Sequence, residues 1–145
     1  MSAVLGPNTA RVVRFLACIP DLTPEQIDRA ADLWKQTSSQ TKAECWAEVR
    51  RTTTEEERFR ILVASHVARR AALDVAHRYH RLDWAFWAAA WDAAGAIAAG
   101  DRVGACYDIL VGPLAAVLPS LTASRSDTLP GRHPQEAVLS QGVLL

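Results

Sequence analysis

No stretch of the chain alternates apolar and polar side chains as a half-buried strand does. Apolar positions recur instead at spacings of three and four, between start and stop signals for helices. Residues 8–18 read as a short helix that Pro20 ends. Thr23 then supplies an N-cap, with Pro24 at the first helical position and Gln26 at the third, which is a capping box. Leu22 before the cap and Ile27 after it form a hydrophobic staple. A helix over 24–36 follows, and the polar run Thr37–Gln40 closes it. Thr41 with Glu44, and Thr54 with Glu57, repeat the logic and open helices at 42–51 and 55–81. Asp83 caps a helix over 84–99 that Gly100 terminates, and Asp101 caps another over 102–111 that Gly112-Pro113 breaks. Residues 113–118 add a turn. The pattern predicts an all-α bundle of five or six helices over 1–119. From Pro119 onward Ser, Thr, Pro and Gly crowd together, which predicts an irregular tail over 120–145. Its apolar end, Val143-Leu144-Leu145, leaves docking on the core and a free end both open.

Two of these helices carry most of the information. Residues 84–99 contain one charge, Asp92, so the helix is apolar nearly all round and belongs at the centre of the bundle or in a dimer interface. Trp84, Trp87 and Trp91 fall on one stripe, suited to core packing, to anchoring a partner or to walling a ligand pocket. A buried Asp92 needs a partner, and an Arg from the 55–81 helix is the expected one. That longer helix turns Ile61, Ala68, Ala72, Val75 and Tyr79 inward. Residues 58–81 hold six Arg against one acid, Asp74, whereas residues 82–145 hold three Arg against six acids. The asymmetry predicts either a contact surface built on Arg70, Arg78 and Arg81 or a solvated face whose Arg residues pair with neighbouring helices.

Composition narrows the picture. The formal charge is zero and half of the 145 residues are hydrophobic, which excludes a wholly disordered chain and a globally basic nucleic-acid binder. Three cysteines, Cys18, Cys45 and Cys106, with no C-x-x-C, argue against a disulfide framework and for a reduced, cytoplasmic setting. Nothing reads as a signal peptide or a membrane span.

Candidate chemistry is sparse. Asp74, His77 and His80 spread over about 120° of a helical circumference, too far to share one metal ion, so no metal or other cofactor is expected. No dinucleotide, P-loop, zincin or nucleophile-elbow motif is present. Arg60-x5-His66 and Arg70-x6-His77 match the R-x(4–6)-H motif and so resemble HEPN-family ribonucleases, helical bundles whose Arg and His act on RNA. That resemblance implies Arg70 and His77 as a catalytic pair, because two turns set them on nearly one side. Trp87, Trp91, Asp92, Ala93 and Ala94, with Tyr107, Asp108, Leu110, Gly112 and Pro113, resemble small Ala/Trp/Asp-rich helical proteins of GC-rich bacteria, though with a single Trp-Asp unit. This likeness implies a helical domain and no activity. The leading expectation is a non-catalytic interaction protein whose partner is another protein or a second copy. Trp84, Trp87, Trp91 and Asp92 would bind it together with Arg70, Arg78 and Arg81. An RNA-cleaving enzyme and a small-molecule binder are the alternatives.

Overall fold

Capping side chains set where the helices begin. The computed structural model describes residues 8–118, Asp101's side chain excepted. Six α-helices follow one another: α1 Thr9–Cys18, α2 Pro24–Gln36, α3 Ser39–Thr52, α4 Glu55–Arg78, α5 Trp84–Ala99 and α6 Cys106–Ala115. Short 3₁₀ turns, Ile19–Asp21 and Gly100–Val103, join α1 to α2 and α5 to α6. The described residues contain no strand, and the all-α reading stands. The expected tail, 120–145, lies outside the described residues.

Both complete capping boxes form. Thr23 Oγ1 accepts from the Gln26 amide while Gln26 returns a bond to the Thr23 amide. Thr54 and Glu57 do the same at α4. Asp83 accepts from the Ala85 amide and caps α5.

Three helices differ from expectation in their boundaries. Helix α3 starts at Ser39 because Ser38 Oγ accepts the Thr41 amide, which places Thr41 inside the first turn. Helix α4 stops at Arg78, three residues early. There His80 takes a left-handed φ of 57°, the His80 amide donates to the His77 carbonyl, and the Arg81 amide returns to the Ala76 carbonyl. This is a Schellman ending with histidine where glycine is usual. Helix α6 begins at Cys106 and runs through Pro113. A proline near the end of a helix forfeits one hydrogen bond without forcing termination.

Helix α5 is the axis of the bundle, in contact with α1, α2, α4 and α6. Its most extensive packing is with α4, where Ala64, Ala68, Ala72 and Ala76 meet a helix rich in Ala85, Ala89, Ala93 and Ala96, all fully buried. Side chains this small let two backbones approach closely. Around this pair close Val12 and Phe15 of α1, Ile19 and Leu22, Ile27 of α2, and Leu110 and Leu114 of α6. Gly95 is a point of close approach, since a Cβ there would lie 2.6 Å from the Trp46 ring and 2.7 Å from Ser65 Oγ. Helix α3 stands apart from this arrangement, resting on α6 and the second 3₁₀ turn. One arc of α5 keeps solvent access, and it carries the indoles.

Candidate functional site

The charge inside α5 is held by tryptophans. Asp92 is only 7% exposed, and each carboxylate oxygen accepts one indole N–H. Trp34 of α2 donates to Oδ2 at 2.8 Å and Trp46 of α3 donates to Oδ1 at 3.0 Å. The expected Arg from α4 is not the partner. The indole N–H groups satisfy the carboxylate oxygens directly, and the one cation nearby, Lys42, rests on the Trp34 ring and not on the carboxylate. Burial pushes the Asp92 carboxyl above its ordinary value, against the opposing pull of the Trp34 and Trp46 N–H groups and of Lys42.

Lys42 completes the cluster. Its side chain is 8% exposed, its ammonium lies 3.2 Å from the centre of the Trp34 ring, and Nζ donates to the Trp34 carbonyl at 2.9 Å. Burial lowers the Lys42 value and Asp92 acts in the other direction. The cluster therefore clasps α2, α3 and α5 together. The Trp34 indole passes the contact outward, meeting Trp84 edge to face at 5.1 Å between ring centres.

Beside this clasp an open cleft of about 440 Å³ is lined by Trp84, Trp87, Ala88 and Trp91, with Asp92 below and Arg69 of α4 at the wall. The stripe read from the sequence is thus one surface, and it faces solvent. Trp84 is 59% exposed, while Trp87 and Trp91 are half-buried. Trp91 is steadied by His66, whose ring meets it edge-on at 4.7 Å. The Trp91 carbonyl accepts from Ser65 Oγ at 2.9 Å. Trp87 Nε1 is buried and has no acceptor among the described residues, so this indole is placed by packing alone.

The three arginines expected beside the stripe behave differently from it. Arg78 Nη1 donates to the Pro20 carbonyl at 3.0 Å, and Arg81 Nε reaches both oxygens of Asp28 at 3.1 and 3.2 Å. Both tie the end of α4 to the α1–α2 region. Arg70 pairs with Asp74 one turn along α4, at 3.4 Å, both exposed. His77 is also exposed on α4. Arg69 and Arg50 were not singled out by sequence reasoning. Only the fold reveals that they flank the indoles, because they lie on separate helices. Trp34, Trp46 and Lys42 were missed for the same reason. A buried acid signals that donors are needed and says nothing of which distant indoles supply them.

Among the described residues no three His, Cys, Asp or Glu side chains gather so as to hold a metal ion, and no helix is long and apolar enough to cross a membrane. No family model, no curated protein and no solved structure matches this chain.

Proposed function

We propose that this chain is a small, non-catalytic binding protein that seats part of a protein partner on the cleft formed by Trp84, Trp87 and Trp91. The exposure of Trp84, at 59%, carries the reading. An indole left largely in water, on a helix whose other arcs are buried, forgoes the burial that stabilises most of that helix. Aromatic side chains placed in this way are the usual anchors of interfaces. The shape of the cleft supports a macromolecular occupant. Pockets for small molecules enclose most of the ligand surface, and this cleft stays open along its length. The ribonuclease alternative draws less support, since Arg70 is engaged by Asp74 and neither it nor His77 lines either cleft.

A photo-crosslinking amino acid in place of Ala88 tests the proposal in the cells that make the protein. It is expected to capture one protein, through one segment, and to lose that product when Trp84→Ser is added. Cross-links scattered over many proteins, or unchanged by Trp84→Ser, would overturn it. Trp84 is mostly exposed, so the substituted chain folds, and circular dichroism checks that it does.

A further inference from the structure

We infer that the occupant of the indole cleft is an amphipathic helix with acidic residues flanking its apolar stripe, contributed by a different protein. This rests on the cleft being a docking surface and names its partner chemically. The cleft does not end at Trp91. A second one, of about 250 Å³, lies between α3, α4 and α5, and Trp91 lines both. The joined groove runs beside α4 from Arg58 to Arg69, roughly 16 Å at 1.5 Å per residue, or three turns of a docked helix. Its lining is largely apolar, from Val49 and Ile61 to the three indoles, interrupted by Ser65 and Asp92, whose polar atoms are already engaged, and Leu62, 45% exposed, is part of it. An open, largely apolar groove of that length matches the stripe a helix presents at positions i, i+3 or i+4, and i+7.

Charge selects which helix. Arg50, Arg58 and Arg69 line the groove. Arg58 spends Nη1 on the Arg50 and Thr53 carbonyls, at 3.0 and 2.6 Å. Arg50 and Arg69 are exposed, and neither is paired with a carboxylate among the described residues. Asp92 is the one acid in either lining, and both its oxygens are taken by indoles. The groove thus offers positive charge at two of its borders and accepts none, so carboxylates beside the apolar stripe complete it.

Neither a second copy, nor helix α2, nor residues 119–145 meets this description. A second copy docked by a two-fold axis would bring the same basic border against itself. Helix α2 has acids in Glu25, Asp28 and Asp32, but its apolar residues Ile27, Ala30 and Ala31 are already buried in the core. Residues 119–145 balance Arg125 and Arg132 with Asp127 and Glu136 and bring no acidic surplus.

Fluorescein-labelled synthetic helices of about fifteen residues test the inference by anisotropy with the full-length protein. One carries Leu at i, i+4, i+7 and i+11 with Glu on both flanks. A second keeps the Leu and replaces every Glu with Lys, and a third keeps the Glu and replaces every Leu with Ser. The Glu–Leu helix is expected to bind at least tenfold more tightly than either control. In the Arg50→Glu, Arg69→Glu variant the preference is expected to pass to the Lys–Leu helix, and Trp84→Ser is expected to weaken both Leu-bearing helices. Equal binding of the Glu–Leu and Lys–Leu helices, both weakened by Trp84→Ser, would overturn the acidic assignment while leaving a docking cleft in place. Failure of both Leu-bearing helices would overturn the inference, while the cross-link at Ala88 decides the proposed function separately. Two further results would replace the occupant: tighter binding of a single-stranded RNA that competes with the Glu–Leu helix, or a dimer in light scattering that Trp84→Ser dissolves.

Discussion

At the scale of single residues the molecule turns on Asp92. It sits on the most buried helix, and its two oxygens divide Trp34 and Trp46 between them. Burial raises its folded-state value above the ordinary one. A carboxyl raised in this way holds its proton more tightly in the folded state than in the unfolded state. Its contribution to stability is therefore complete below the ordinary value and is lost as pH rises through the raised one. Asp92→Asn keeps one acceptor but turns an N–H₂ toward the second indole N–H. That strands a buried donor, at a cost of about 1–3 kcal/mol. The wild type loses stability at Asp92 as pH rises and the variant does not. The gap between them, measured by urea denaturation, is therefore expected to narrow as pH rises above the ordinary carboxyl range. A gap that widens would show the ionised form to be the one the site favours.

At the scale of elements, most helix starts were legible in sequence because capping is local chemistry. Thr23 with Gln26 and Thr54 with Glu57 each lie three residues apart, and that spacing alone specifies the reciprocal bonds. The position of α5 was legible too, since a helix with one charge in sixteen residues has nowhere to go but inward. Endings were less legible. Nothing at His80 announces a left-handed residue, and the α4 pattern reads through it to Arg81. Gly112-Pro113 looks like a stop but costs only one bond inside α6. The indole clasp on Asp92 was invisible because its donors lie 58 and 46 residues away in the chain. His80 also yields a prediction. An L-residue at φ 57° carries a penalty that glycine avoids. His80→Gly is expected to raise stability by about 0.5–1 kcal/mol, read as a higher melting temperature. His80 is exposed, so no packing is lost. An unchanged or lower melting temperature would mean that its side chain contributes a contact beyond the backbone ending.

At the scale of the whole molecule, stability is unevenly distributed, and the uneven part borders the docking groove. Helices α1, α2, α4 and α6 close directly on α5, whereas α3 rests on α6 and the second 3₁₀ turn and reaches α5 through the Trp46 indole. Of its buried side chains, Lys42, Cys45 and Val49, one is charged and none is large and apolar. A segment joined by so little apolar surface is the one expected to open first. Cys45 reports that opening. Burial, with the neighbouring Cys106 thiol, pushes the Cys45 thiol up to about 12, so it stays protonated and unreactive while α3 is docked. Trp46→Phe removes the bond to Asp92 and leaves one carboxylate oxygen without its donor. Iodoacetamide labelling of Cys45, followed by peptide mass spectrometry, is expected to speed up at least fivefold in that variant, as a loss of about 1 kcal/mol requires. Hydrogen exchange along α4 and α5 is expected to stay as slow as in the wild type. If exchange in those helices accelerates in step with labelling, α3 opens only when the whole bundle does. If it does not, Trp46 governs both the docking of α3 and one wall of the groove, and a partner helix seated there would hold α3 closed and slow the labelling of Cys45 in the wild type.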